Sequence, residues 1–211
     1  MHIDTILDVT AKLLGITAGL LHIIAFVIYN RQMLEGTSKP NSATWTLWVF
    51  LTVLNATSYS DMSGDWVKNF LPIVSSAAVF VTFLVALFLG KFSKLDSYDL
   101  AALVVGCVSG FAWWYYQSAA YANLILQLSI LISFIPTYKG VWRDSKKEKS
   151  LPWFIWTSAY VLSLIVIYMR WEGQWEELAY PVNCFFLHVG VGFLAGRIMR
   201  DGSMESVPKR K

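Results

Sequence analysis

The stretch Lys39-Pro-Asn-Ser-Ala-Thr-Trp-Thr-Leu-Trp48 returns later in the chain as Lys147-Glu-Lys-Ser-Leu-Pro-Trp-Phe-Ile-Trp156. The lysine, the serine and both tryptophans match at a constant offset of 108 residues. A second motif follows each copy, Gly64-Asp-Trp66 in the first and Gly173-Gln-Trp175 in the second, and each has a proline downstream (Pro72 and Pro181). Because matches of Trp, Gly and Pro rarely arise by chance, we interpret the chain as an internal duplication of two fused halves.

The composition is typical of a membrane protein. Of the 211 residues, 56% are hydrophobic and only 15% are charged, whereas a soluble domain carries about a quarter charged residues. The net charge of +3 gives no reason to expect a nucleic-acid partner. Cys107 and Cys184 lie in apolar blocks without metal-ligand spacing, so we expect no disulfide, no metal site and no cofactor.

Seven apolar blocks are long enough to cross a bilayer as helices of about 17–25 residues. They are residues 9–29, 43–59, 69–89, 100–116, 119–137, 151–169 and 179–199. Only helices pair all backbone groups within one segment, and the alternation of a barrel is absent. We therefore predict an all-α integral membrane protein with seven transmembrane helices. Two parallel three-helix repeats (1–90 and 118–199) would be joined by an inversion linker helix (91–117) and followed by a cytoplasmic tail (200–211).

The distribution of basic residues predicts the orientation. With the N-terminus outside, only Lys12, Lys68 and Arg170 of the 17 Lys and Arg residues fall on the outer side. The positive-inside rule thus places the N-terminus outside and the C-terminus in the cytoplasm. The duplication agrees, because one extra crossing between two three-helix copies makes the copies parallel, with both Lys-x-x-Ser motifs on the inner face.

Glycines four residues apart occur in the first, fourth and seventh predicted helices, as Gly15/Gly19, Gly106/Gly110 and Gly192/Gly196. Such pairs let helix backbones approach closely in lipid. We interpret them as sites where two helices of the same chain pack closely. Contacts between copies in a homo-oligomer are the alternative.

Several motifs resemble those of the PQ-loop and SWEET transporter superfamily. A polar loop, a serine and a Trp-rich helix recur here in a 3+1+3 arrangement, and Ile135-Pro136 with Lys139 and Ser150 looks like the PQ-loop signature. The first copy has Ile28 where Pro136 would map, and neither copy has the Pro-Gln pair. Members flex at prolines near the cytoplasmic helix ends and contact sugar through an asparagine of helix 7. The resemblance therefore implies hinge roles for Pro136 and Pro152 and a binding role for Asn183.

A second resemblance concerns Trp153-Phe-Ile-Trp156, which is similar to the Trp-x-x-Trp motif of bacterial nicotinamide riboside transporters. Those proteins also have a 3+1+3 arrangement. Both families imply facilitated movement of a small, largely uncharged solute across the lipid bilayer.

Two polar-aromatic stripes are candidates for the solute site. The second predicted helix bears Trp48, Thr52, Asn55 and Tyr59 on one face, and the sixth bears Trp156, Tyr160, Ser163 and Ile167. Because unpaired polar groups are costly at membrane depth, we predict that both stripes line one cavity, with Asn183 in its wall. Asn55 as a hydrogen bond between helices is the alternative. For Trp45 and Trp153 we favour an interfacial aromatic belt.

Other polar residues at membrane depth complete the candidate set. Asn123 and Gln127 lie four apart in the fifth predicted helix and form either a gate contact or a packing hydrogen bond. Ser75 adjoins the position related by the repeat to Asn183. His22 and His188 are the only ionisable groups expected deep in the membrane. They are candidates for proton coupling, with a neutral, hydrogen-bonded histidine as the alternative.

The sequence favours transport over catalysis. No catalytic motif lies at membrane depth, so we do not expect an enzyme. We predict a uniporter-like carrier for a small neutral polar solute, such as a sugar or a nucleoside-like vitamin precursor, working by alternating access. With no carboxylate expected in a span, transport should need no sodium. The alternative is a non-transporting seven-helix receptor or sorting protein that binds its partner through the basic loop 139–149.

Overall fold

The computed structural model describes residues 3–38, 42–89 and 97–197. Within these ranges the chain forms eight α-helices, with 3-10 turns at Ser145–Lys147 and Trp175–Leu178. The helices are α1 (Ile3–Leu34), α2 (Ser42–Ser63), α3 (Trp66–Phe88), α4 (Ser97–Tyr116), α5 (Ala119–Ser133), α6 (Ile135–Arg143), α7 (Ser150–Met169) and α8 (Ala179–Gly196). Lys39 of the first motif, the loop residues 90–96 and the predicted tail lie outside the described residues.

Six helical segments of the described chain are long and apolar enough to cross a membrane. They are α1, α3, α4, α5 together with α6, α7, and α8 together with the preceding 3-10 turn. The predicted second span is also a helix, since α2 has 22 residues, but it is not among the apolar candidates. Its polar Asn55 and Ser58 are buried against other helices, so α2 does not need an apolar surface all round. That α2 crosses the bilayer stays a prediction.

The exterior of the bundle is apolar. Large hydrophobic side chains on different helices are exposed, among them Leu13 on α1, Phe80 on α3 and Phe193 on α8. A soluble protein rarely exposes such a surface, whereas lipid covers it at no cost. Together with the six candidate spans, this surface indicates an integral, multi-pass, all-α membrane protein.

The predicted fifth span, 119–137, is broken at Phe134. Because Pro136 has no N–H to donate to the carbonyl of Ile132, the helical ladder cannot run through this point. It resumes in α6, where the N–H of Tyr138 donates to the carbonyl of Phe134 at 2.9 Å. Pro152 lies in the first turn of α7, where backbone N–H groups have no helical partner, so α7 continues without a break. A hinge role for either proline stays a prediction.

The helices pack as a bundle with two distinct ends. Helix α1 packs against α3 and α7, α2 packs against α3 and α5, and α8 packs against α7 and α5, while α4 lies outside against α5 and α2. We call the end where α1 begins the Asp8 end, because Asp8 joins the end of α7 there. We call the opposite end the Glu148 end, because Glu148 joins the last turns of α1 there.

The repeated Gly-x-Trp motif has a backbone explanation. Gly64 and Gly173 have φ angles of +62° and +92°, a conformation that glycine adopts at little cost. In the first copy the following Asp65 caps α3, accepting a hydrogen bond from the N–H of Val67 at 2.8 Å. Each glycine therefore turns the chain into a new helical segment at the Asp8 end.

The glycine pairs mark close approaches within the chain. A methyl group added at Gly15 would lie 2.9 Å from Val67, and one at Gly19 would meet the ring of Phe70, so this pair seats α1 on α3. Gly106 faces α2 and α5 in the same way, and Gly192 faces Phe154 of α7. An added methyl group at Gly110 would meet open space.

We expect Gly19→Ala to destabilise the protein by about 1–3 kcal/mol, because the new methyl group overpacks the seam between α1 and α3. Gly110→Ala is the matched control, and its higher helix propensity should leave stability unchanged or raise it by up to about 1 kcal/mol. Unfolding of both variants in detergent micelles measures the difference. Equal stability of the two variants would contradict the packing of α1 on α3.

Candidate functional site

A small central cavity lies between α1, α2, α3, α5, α7 and α8. Its volume is about 50 Å³, enough for a few water molecules because each needs roughly 10–15 Å³. Most of the lining side chains carry rings: His22, Phe26, Trp45, Trp48, Phe134, Trp153, Trp156, Tyr160, Tyr180 and His188.

Eight of the predicted site residues line this cavity: Trp48, Thr52, Asn55, Ser75, Trp156, Tyr160, His22 and His188. The stripes predicted on α2 and α7 therefore meet at one place. Asn55 is 2% exposed, as expected from the high cost of leaving an amide unpaired in lipid. Whether these residues bind a solute stays a prediction.

The other predicted binding residues, Asn123, Gln127, Ser163 and Asn183, lie outside the lining. Nδ2 of Asn183 donates to the carbonyl oxygen of Gln127 at 3.0 Å and to its Oε1 at 3.4 Å. The expectation that Asn183 forms part of the cavity wall is therefore wrong, because its amide joins α8 to α5. Ser163 is buried on α7.

The amides of α5 form a hydrogen-bond network with α2. Oδ1 of Asn55 accepts from Nδ2 of Asn123 and from Nε2 of Gln127, both at 3.2 Å. Asn123 also donates to Oγ of Ser58 at 3.0 Å, and Gln127 donates to Oδ1 of Asn123 at 3.0 Å. Asn123 and Gln127 were expected to form either a gate contact or a packing hydrogen bond, and these contacts agree with the packing hydrogen bond. Asn55 is part of the same network as well as of the cavity wall.

The belt interpretation of Trp45 and Trp153 is wrong. Both side chains are buried and line the cavity. A spacing of three residues puts Trp45 and Trp48 on one face of α2, and Trp153 and Trp156 on one face of α7, and both faces turn inward. The repetition of the Trp-x-x-Trp spacing was the signal that would have identified them as a set.

Four tryptophans and two phenylalanines enclose the part of the cavity nearer the Glu148 end. The ring centroid of Phe26 lies 6.2 Å from that of Trp45 and 4.8 Å from that of Trp156. The ring centroid of Phe134 lies 6.2 Å from that of Trp153 and 5.0 Å from that of Trp48. We call these six residues the aromatic box. Its ring faces suit a flat or amphipathic solute.

The two deeper tryptophans of the aromatic box differ in their hydrogen bonding. Nε1 of Trp48 donates to Oγ of Ser133 at 2.9 Å. Nε1 of Trp156 is buried and has no hydrogen-bond partner among the residues that the structure describes, and the residue at the position equivalent to Ser133 is Ala25. An unpaired buried donor costs about 1–3 kcal/mol, so the Trp156 indole offers a ligand an unused hydrogen bond.

The two histidines flank Tyr160 beside the aromatic box. Their ring centroids lie 5.5 Å (His22) and 5.1 Å (His188) from that of Tyr160. Nδ1 of His188 is 2.7 Å from the carbonyl oxygen of Cys184, which anchors the ring to its own helix. Nδ1 of His22 is buried and accepts or donates no hydrogen bond within the described ranges. Their part in proton coupling stays a prediction.

A buried ion pair that the sequence did not predict lies near the Asp8 end, where α3 and α8 begin. Nζ of Lys68 lies 2.8 Å and 3.1 Å from the carboxylate oxygens of Glu177, and both side chains are completely buried. The hydroxyl of Tyr59 donates to the carbonyl oxygen of Glu177 at 3.0 Å. The apolar blocks predicted as spans exclude both residues, although each residue follows the repeated tryptophan by two positions.

A second charged cluster at the Asp8 end joins α1, α3 and α7. The guanidinium of Arg170 contacts the carboxylates of Asp8 and Asp65, both at 2.5 Å. Lys12 contacts Asp8 at 2.6 Å. Together with the buried Lys68–Glu177 pair, these contacts close the Asp8 end of the bundle.

The Glu148 end is held by a different contact. The hydroxyl of Tyr29 donates to Oε1 of Glu148 at 3.0 Å, and Glu148 is 5% exposed. Burial raises the pKa of the Glu148 carboxyl to about 8. Glu148 lies between α6 and α7, outside both spans, and so it joins α1 to the loop that leads into the aromatic box.

In comparisons of the chain with protein-family models, curated proteins and solved structures, nothing matched. The function is therefore argued from the site itself.

Proposed function

We propose that the protein is a carrier that moves a small neutral polar solute, such as a sugar or a nucleoside-like vitamin precursor, by alternating access. The Asp8 end would face outward and the Glu148 end the cytoplasm, in accordance with the positive-inside rule. The main support is the cavity, whose lining residues occupy equivalent positions in the two halves of the duplicated sequence.

Fourteen of the lining residues form seven such pairs. Five pairs stand at an offset of 108 residues and two at 109: His22/Ile130, Phe26/Phe134, Trp45/Trp153, Trp48/Trp156, Thr52/Tyr160, Ser75/Cys184 and Val79/His188. A cavity on a pseudo-two-fold axis between two repeats is expected to be lined in this way. Such an arrangement is typical of carriers that open alternately to either side.

Ring geometry supports the same symmetry. The Phe26–Trp45 and Phe134–Trp153 centroid distances are both 6.2 Å. Phe26 is 4.8 Å from Trp156, and Phe134 is 5.0 Å from Trp48. In both cases a phenylalanine contacts a tryptophan of its own half and one of the other half. The buried Lys68–Glu177 pair likewise joins equivalent positions across the axis.

The lining favours a neutral solute. Apart from two histidines, no ionisable acid or base other than Tyr and Cys lies among the lining residues that the structure describes. Tryptophan faces can stack on a sugar or a heterocycle, while Asn55, Thr52 and the indole of Trp156 can orient it. At about 50 Å³ the cavity is smaller than the roughly 300 Å³ of a typical ligand site. Loading would therefore require the helices to separate at one end.

The closed ends suggest how this opening is controlled. In the proposed cycle the ion pairs at the Asp8 end separate while the Tyr29–Glu148 contact holds, and then the reverse occurs. A solute bound in the aromatic box is thus exposed to one side at a time. The broken backbone at Phe134 provides a point where α5 and α6 can bend independently.

Uptake into proteoliposomes tests the proposal. A panel of sugars, nucleosides and neutral amino acids should include at least one solute with saturable, sodium-independent uptake. Trp156→Ala should abolish that uptake, while Trp114→Ala, at an exposed position on α4, should not.

Folded protein that moves no solute in the panel would count against the carrier. Binding of a stable partner through the exposed Lys146, Lys147 and Lys149 would then favour the receptor.

A further inference from the structure

Glu148 is an unusual carboxyl because one of its oxygens is buried and unpaired. Oε1 accepts a hydrogen bond from the Tyr29 hydroxyl at 3.0 Å, whereas Oε2 has no hydrogen-bond partner among the described residues. The indole N–H of Trp153, the first residue of the aromatic box on α7, is also buried and has no partner in the described part of the chain. A carboxylate in a dry site is costly unless cations or several donors compensate its charge.

No described cation supplies that compensation. Glu148 takes part in none of the ion pairs among the described residues. The charged groups of the adjoining elements are exposed: Arg143 at the end of α6, Lys147 and Lys149 beside Glu148, and Arg197 after α8. Towards the cavity, His188 of α8 lies behind Trp153, with ring centroids 5.4 Å apart.

We propose that Glu148 is a proton-binding site whose protonation keeps the Glu148 end of the cavity closed. The neutral acid fits the dry site between Tyr29 and Trp153. Loss of the proton leaves a carboxylate that must be hydrated, and water can reach it only if the loop before α7 leaves α1. That movement would carry Trp153 and Trp156 with it and open the aromatic box. The inference rests on the proposed carrier cycle and assigns the opening of its cytoplasmic end to one titrating group.

The direction of the pH dependence follows from the different pKa values of Glu148 in the closed and open forms of the protein. In the closed form burial raises the pKa of Glu148 from 4.5 to about 8, and the hydrogen bond from the Tyr29 hydroxyl opposes this only in part. In the open, hydrated form the pKa returns towards 4.5. Between these two values the closed form holds one more proton, so each pH unit upward favours opening by up to about tenfold. Below this window both forms are protonated, and above it neither is.

Thiol labelling measures the opening without any solute. Cys184 lines the cavity, and Cys107 is exposed, so a Cys107→Ser background leaves one reporter. The rate at which a charged methanethiosulfonate labels Cys184 is measured in this background. It is compared with the rate in a second protein that also carries Glu148→Gln, an uncharged isostere. The ratio of the two rates cancels the pH dependence of the thiol itself. Tyr29→Phe in the same background keeps the carboxyl and removes its hydrogen bond.

The labelling rate with Glu148 present, divided by the rate with Glu148→Gln, should rise steeply between about pH 5 and pH 8, by up to about tenfold per pH unit. Tyr29→Phe should extend the upper end of the rise to higher pH, since the lost hydrogen bond lowered the pKa of Glu148 in the closed form. A ratio independent of pH, or a rise unmoved by Tyr29→Phe, would overturn the proposal. Because labelling requires no transport, failure to find a solute would leave this result unaffected.

Discussion

Replacing Lys68 by methionine is expected to destabilise the protein by about 3–5 kcal/mol, because it leaves Glu177 as an unpaired charge in a completely buried site. Methionine retains most of the volume of lysine, so the loss would come from the charge and not from a cavity. Chemical or thermal unfolding in detergent micelles measures the change.

The double variant Lys68→Met/Glu177→Met is the control for this effect. With both charges removed, the site becomes an apolar contact of similar size, and most of the lost stability should return. If Lys68→Met were as stable as the unsubstituted protein, the pair would not be buried in solution, and the closure of the Asp8 end would be wrong.

Trp156→Phe is expected to weaken solute binding by about tenfold, because it removes a buried indole N–H of the aromatic box that has no partner among the described residues. A hydrogen bond worth about 1.4 kcal/mol corresponds to this factor. The same change removes a buried unpaired donor, so Trp156→Phe should lower the free energy of unfolding by less than Trp48→Phe does. Binding is measured by the solute dependence of the melting temperature.

Trp48→Phe provides the matched comparison at the equivalent position. Its indole already donates to Ser133 at 2.9 Å, so this variant should lose stability by about 0.5–1.5 kcal/mol and bind solute nearly normally. If the two variants had the same effects on binding and stability, the assignment of Trp156 as the ligand donor would be contradicted.

The helical architecture was accessible from the sequence because it depends on local patterns. Seven long apolar blocks predicted seven of the eight helices of the described chain, whereas the break at Phe134 and the separate helix α6 were not predicted. The second predicted span was less apolar than a lipid-facing helix requires, since α2 buries its polar face between α3 and α5. A hydropathy pattern alone cannot distinguish a helix that faces lipid from a helix that buries polar residues against its neighbours.

The site was harder to predict because it depends on pairings between distant residues. Periodicity placed Asn55 and Trp156 on inward faces, but it could not show that Asn183 would bond to Gln127 instead of facing the cavity. Loop residues were the main omission. Glu148 and Glu177 fall outside the apolar blocks, and only the folded chain reveals that Tyr29 and Lys68 bury them. A charge two residues after each repeated tryptophan was a usable signal for Glu177, whereas no such signal pointed to the burial of Glu148.

In the proposed cycle the central cavity opens alternately to the two sides of the membrane. The most direct test of this cycle is labelling of Cys184 in oriented proteoliposomes by a membrane-impermeant thiol reagent, in the Cys107→Ser background. The account predicts that Cys184 reacts slowly from either side, that an accepted solute slows both reactions, and that labelling stops uptake. Failure of folded protein to react from either side, or reaction from one side only under all conditions, would contradict it.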